Sequence, residues 1–161
     1  MPEKKTREAA VKDQRAGKSA RTQAGEYVHE EIEHVRKGKH GAKSARQAIA
    51  IGLSKARRAG VKVPVKKTAS TSTRKKAASD EKASRAHKQP SATRSRATSK
   101  ALKKEGHGAA SKSALSRQAT SSAAKRTSTA KSAAAKKAAR TKGAAGRSAA
   151  ARKAAGTRAA S

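Results

Sequence analysis

Large apolar side chains are confined to the front of the chain. Beyond Met1 they are Val11, Tyr27, Val28, Ile32, Val35, Ile49, Ile51, Leu53, Val61, Val63, Val65, Leu102 and Leu115, and only the last two lie past residue 65. Ala24, Tyr27, Val28, Ile32 and Val35 recur at spacings of three and four, which puts them on one face of a helix. Glu26, Glu30 and Glu31 occupy its first half and Arg36 and Lys37 its end, so the charges complement the macrodipole, and Gly38 stands where the helix would close. After a turn at Lys39, His40 and Gly41, Ser44 and Gln47 have the spacing of a capping box. Ala45, Ala48, Ile49, Gly52, Leu53 and Ala56 then form a second apolar stripe. Gly60 and Val61 suit a Schellman ending, and Pro64 prevents continuation. Residues 3–16 read as a charged helix with only Ala9, Ala10 and Val11 to anchor it, ending near Gly17. The expected fold is all-α: a small helical hairpin at 1–65, or three short helices if residues 3–16 join it.

From Lys66 onward Ser, Thr, Ala, Lys and Arg dominate. One repeat stands out: Lys-Ser-Ala-Ala-Ala-Lys-Lys-Ala-Ala-Arg-Thr-Lys at 131–142 returns as Arg-Ser-Ala-Ala-Ala-Arg-Lys-Ala-Ala-Gly-Thr-Arg at 147–158. Alanine buries little area, so this stretch has no apolar gain to set against the entropy of ordering its backbone. Like charges at helical spacing also repel. Residues 66–161 are therefore expected to be a long disordered basic tail, folding into helix only on a polyanion, with Ser132 and Ser148 as N-caps.

Charge sharpens the division. Residues 1–65 hold 16 Lys and Arg against 7 Asp and Glu, a net +9. The remaining 26 basic residues face only Asp80, Glu81 and Glu105, a net +23 within a total of +32. Such a polycation binds polyanions, of which nucleic acid is the most abundant in cells. With no Phe or Trp, the stacking platforms used to read single strands are missing, leaving Tyr27 alone. The absence of cysteine excludes disulfides, thiolate nucleophiles and Cys-ligated zinc. Met-Pro-Glu-Lys-Lys is followed by no apolar h-region, and no run approaches transmembrane length, so neither export by that route nor a membrane partner is expected.

Catalytic and cofactor chemistry find no support. His29 and Glu33 lie four apart on one helical face, but a metalloprotease helix needs two histidines four apart, and His29 and His34 are five apart. No third ligand is evident, so no metal site is expected; the residues instead suit a solvated acidic face in which Glu33 to Lys37 and Glu30 to His34 support the helix. There is no Walker A or Gly-x-Gly-x-x-Gly stretch, and too little core to hold a nucleophilic triad. No enzyme, cofactor or metal is expected. The candidate functional residues are instead phosphate contacts: Lys66, Lys67, Arg74, Lys75, Lys76, Lys103, Lys104, Lys125, Arg126, Lys136, Lys137, Arg140, Arg152 and Lys153. Lys55, Arg57 and Arg58, which end the second stripe, serve either the helix dipole or further phosphate contact.

The stretch Gly25-Glu-Tyr-Val-His-Glu-Glu-Ile-Glu-His-Val-Arg-Lys-Gly-Lys-His-Gly41, followed by Gln47-Ala-Ile-Ala-Ile-Gly-Leu-Ser-Lys-Ala-Arg-Arg-Ala-Gly-Val61, resembles a family of small basic bacterial proteins of unknown function over roughly residues 15–65. By composition and repeat, the tail resembles those of linker histones and bacterial histone-like proteins, although the Ser-Pro-Lys-Lys motif of such tails is absent. Together these features lead to the expectation of a bacterial nucleoid-associated protein, cytoplasmic, that binds DNA without sequence preference. The alternatives are an RNA- or ribosome-associated polycation and a protein-interaction module whose Glu26–Glu33 face recruits a partner while the tail tethers it. A homodimer through the helices of residues 24–56 would give their apolar faces a partner.

Overall fold

The chain opens with the helices α1 (Lys4–Arg15), α2 (Ala20–Arg36) and α3 (Ala45–Arg58), of which α2 and α3 begin at side-chain caps. The computed structural model describes residues 2–66, 68–86 and 91–159. Ser19 opens α2 by accepting from the Thr22 amide, and Ser44 opens α3 by accepting from Gln47. The Gln47 side chain returns the favour one residue earlier than expected, accepting from the Lys43 amide at 2.8 Å. At the other end of α3, Val61 donates to the Ala56 carbonyl and Gly60 to Arg57 across a left-handed Gly60 (φ 94°), the Schellman pattern read from the sequence.

The second half of the chain is helical, which corrects the expectation of a disordered tail. Among the described residues four more helices follow, α4 (Thr71–Ala86), α5 (Ala92–Lys103), α6 (Lys112–Ala124) and α7 (Ser128–Ala159), with a 3-10 turn at Gly108–Ala110 before α6. The structure is 78% helical. Alanine, lysine and arginine are among the best helix formers, and the like-charge penalty is only a few tenths of a kcal/mol per pair at i, i+3 or i, i+4. In α7 that penalty falls on few pairs: Lys136 and Lys137 each face Arg140, and Lys131, Arg140, Lys142, Arg147, Arg152 and Lys153 have Ala, Gly or Thr at both spacings toward the C-terminus. Gly143 (φ 64°, ψ 177°) interrupts α7, so the two copies of the repeat lie in separate helical stretches. The start is capped by Thr127, which accepts from Ala130, rather than by Ser132. Ser148 is no cap either; it donates to the Ala144 carbonyl one turn back.

Part of the supposed tail completes the front. The chain divides into compact units at Met1–Gln118 and Ala119–Ser161, so the first extends well past residue 65. One apolar cluster joins Val35, Ala42 and Ala48 to Ala109 and Ala110, with Ile32 against it. The amides of Gly41 and Ala42 donate to the carbonyls of Leu102 and Gly106, at 2.9 and 3.0 Å. Gly41 is obligatory there, because a Cβ would overlap the Glu105 backbone. A second cluster of Ala10, Ala24, Tyr27 and Ala56, with Leu53, Val61 and Val63, draws α1 onto α2 and α3. The apolar faces of residues 24–56 are thus covered from within the chain.

Small residues let α2 and α3 approach closely. A Cβ on Gly52 would stand 2.6 Å from Val28 Cα and 3.0 Å from the Tyr27 carbonyl oxygen, and backbone at that distance has no room to yield. Gly52→Ala gains about 1 kcal/mol of helix propensity but incurs overpacking of about 1–3 kcal/mol or more, so net destabilisation is expected. Gly25→Ala, on the open side of α2 with nothing within 4 Å, should stabilise by about 0.5–1 kcal/mol. Urea midpoints of the two variants should therefore move in opposite directions. Burial pushes the Tyr27 phenol above its ordinary value of 10.0, despite the opposing charge of Arg7. Since Tyr27 is the only tyrosine, absorbance titration should show one ionisation above that value in folded protein, returning to the ordinary range in denaturant.

Candidate nucleic-acid interface and a histidine–carboxylate cluster

Four of the ten acidic residues are turned inward. Asp13, Glu30, Glu31 and Asp80 are buried, which overturns the solvated acidic face expected at Glu26–Glu33. Glu31 lies on the apolar stripe itself, four residues from both Tyr27 and Val35; that position was the available signal of burial. Lys55 of α3 places its Nζ 2.6 Å from Glu31 Oε2 and 3.5 Å from Glu30 Oε1. Glu30 also accepts from the Glu3 amide at 3.1 Å rather than pairing with His34. Glu33 pairs with Lys37 as expected, at 3.8 Å, and with Arg36 at 3.0 Å. Asp13 binds Lys18 at 2.6 Å. Glu3 accepts from Lys39 Nζ and is 2.9 Å from His34 Nε2; the Lys39 hydrogen bond first, then His34, lowers its pKa to about 2.

Asp80 joins α4 to α3. It accepts from Ser54 Oγ at 2.6 Å and Arg58 Nε at 2.9 Å, with Lys76 Nζ 3.5 Å away. Burial pushes its carboxyl upward, but the Ser54 and Arg58 hydrogen bonds and the Lys76 charge outweigh that and hold it below the ordinary carboxylate range.

With the acids engaged, the basic side chains face solvent. Lys66, Arg74, Lys75 and Lys76 are exposed on and before α4, Lys103 and Lys104 at the end of α5, and Lys125 and Arg126 before α7. Lys136, Lys137, Arg140, Arg152 and Lys153 are exposed on α7. Lys67 lies outside the described residues. Of the three α3 candidates, Lys55 is tied to Glu30 and Glu31, Arg58 is half exposed while bound to Asp80, and Arg57 is partly buried with an Nε that has no hydrogen-bond partner among the described residues. The structure also assembles a group of which only Lys103 and Lys104 were expected from the sequence. Arg96, Lys100, Lys103 and Lys104 line one shallow depression along α5 together with Ser95 and Ser99. Their spacing of four, seven and eight was the signal for a single basic helix face.

A second constellation was invisible along the chain. Glu31, His34 and His40 each bring one ligand atom to within 4.8 Å of the others. His40 Nε2 is 3.2 Å from Glu31 Oε1, while His40 Nδ1 is 3.0 Å from the Gly41 carbonyl. Inspection of α2 alone led to His29 and Glu33; the third ligand comes from the turn that folds back over the helix end.

Asp80→Ala should destabilise the first unit by about 2 kcal/mol, the order expected for hydrogen bonds to a charged group with a half-exposed partner. Because the folded-state pKa is the lower one, this contribution is complete above the ordinary Asp range and disappears as pH falls through the folded value. The difference between wild-type and Asp80→Asn urea midpoints, followed from neutral to acid pH, should shrink accordingly.

No described helix is long and apolar enough to cross a membrane. No curated protein and no solved structure matches the chain. Residues 12–67 match a family model described as a family of unknown function (DUF6496), a stretch that runs from α1 past the end of α3 and stops before α4. That match covers the stretch that holds Glu31, His34, His40 and Lys55.

Proposed function

We propose that the protein binds nucleic-acid duplexes, DNA foremost, by neutralising phosphate with basic helices, and acts as a nucleoid-associated protein without base readout. The observation that carries this reading is the separation of charge. In the first unit Asp13, Glu30, Glu31 and Asp80 are buried and Glu3, Glu8, Glu33 and Glu81 are ion-paired, whereas α5, α6 and α7 contain 4, 2 and 9 basic residues and no acidic one. Field lines from those helices end on an external polyanion.

An α-helix fits the major groove of B-DNA, and α7 is exposed nearly all round. Between its Lys and Arg residues lie Ala, Ser, Thr and Gly, too short to read base edges beside a phosphate-bound backbone. Affinity then comes from counterion release, and Lys and Arg positions are individually interchangeable. Burial of Glu30 and Glu31 leaves little of the Glu26–Glu33 face for recruiting a partner.

The test is a salt titration of binding to two unrelated duplexes and an RNA hairpin. Each neutralised phosphate contributes about 0.9 to the slope of log K against log salt, so about ten contacts give a slope near −9. Residues 119–161 hold 11 of the basic residues, and their removal should cut the slope by several units and most of the affinity with it. A truncated protein that keeps the full slope, or a large preference between the duplexes, would refute the mechanism. Clear preference for the hairpin would transfer it to RNA.

A further inference from the structure

We propose that Glu31, His34 and His40 form a binding site for a divalent transition-metal ion, zinc being the best fit. Two independent observations meet there. The first is the donor set: one carboxylate and two imidazoles with ligand atoms within 4.8 Å of one another. The second is that the Glu31 side chain is 1% exposed, yet neither carboxylate oxygen has a hydrogen-bond partner among the described residues. A buried carboxylate without hydrogen bonds is costly. Lys55 Nζ lies 2.6 Å from Oε2 and supplies charge, but the lone pairs of Oε1 remain for another cation.

The geometry suits a small ion. Bonds of about 2.0–2.2 Å in a tetrahedron place ligand atoms about 3.4 Å apart, and His40 Nε2 to Glu31 Oε1 is 3.2 Å. In the neutral tautomer whose Nδ1–H donates to the Gly41 carbonyl 3.0 Å away, Nε2 is the bare nitrogen, the arrangement by which metal-binding histidines are oriented. Glu3, 2.9 Å from His34 Nε2, holds the other ring. A neutral His40 would otherwise set Nε2 and Oε1 lone pairs against each other at contact distance. The histidine side chains are 13% and 17% exposed, so the ion enters from their side and water fills the remaining position. Lys55 opposes a second cation at Glu31, but Glu30 Oε1 is a partner 3.5 Å away toward which its ammonium shifts. Imidazole and carboxylate together favour zinc, copper or nickel over magnesium or calcium. The bound ion ties the turn after α2 to the helix body, so it stabilises the fold.

The test uses full-length protein stripped with chelator, then titrated with Zn2+ against a chromophoric competitor and with Co2+ followed by its visible d–d bands. One equivalent of each metal is expected, with nitrogen and oxygen ligation in the cobalt spectrum and a rise in thermal midpoint. Glu31→Gln, His34→Ala and His40→Ala should each weaken zinc by more than about tenfold, whereas His29→Ala, on the exposed side of α2, should bind normally. Circular dichroism identifies any variant that has lost its helices, and the wild-type cobalt spectrum stands regardless of such a variant. Absence of a stoichiometric metal, an all-water cobalt spectrum, or binding that survives Glu31→Gln but not His29→Ala would overturn the site.

Discussion

The contact between Glu31 and Lys55 is the constraint around which the front of the molecule is arranged. Taking a carboxylate and an ammonium out of water costs several kcal/mol per ion unless each finds the other in good geometry. Glu31 is fully buried; α3 presents Lys55 to one of its oxygens, and the turn after α2 carries His40 Nε2 to within 3.2 Å of the other. Those two contacts tie α3 and the turn at residues 37–44 to the same side chain of α2. With α3 so tied, Ser54 and Arg58 face the side on which α4 supplies Asp80.

Alanine makes this arrangement feasible with few large side chains. Ala24, Ala48 and Ala56 are completely buried, and Gly52 lies against the α2 backbone. Helices that close bring backbones together and gain dispersion contacts from atoms that larger side chains would hold apart. The limited apolar area is supplemented by polar links at the periphery: Arg36 to the Ala110 carbonyl, and Gly41 and Ala42 to the segment 102–106. Acidic groups thereby act as internal fasteners, and the surplus of positive charge is left on the outside. Fold and proposed activity share one cause, since each carboxylate drawn inward unmasks basic surface elsewhere.

Much of the front was legible. Periodicity placed α2 and α3, and Ser44, Gly60 and Pro64 marked the limits of α3 because capping is decided by residues a few positions apart. What was not legible depended on distance along the chain. Nothing local to Ala109 and Ala110 says that they cover Val35, or near Asp80 that Arg58 awaits it. The disordered-tail expectation failed because it weighed missing large apolar residues and assumed dense charge repulsion, whereas α7 spaces its charges so that few meet at i, i+3 or i, i+4. Glu31 was readable and was overlooked: an acid centred on an apolar stripe is a buried acid. His40 was not, since its approach to Glu31 requires knowing how the turn folds.

The central claim is that the stretch from α4 to Ala110 is built into the fold of the first unit and is ordered without a polyanion. Hydrogen exchange at the amides of Gly41 and Ala42 in free, full-length protein tests it most directly, because their acceptors are the carbonyls of Leu102 and Gly106. Neither amide has another acceptor in its own turn. Protection comparable to that of the α2 and α3 interior is the predicted result. Exchange at the rate of an unstructured loop, with α2 and α3 still protected, would contradict the account.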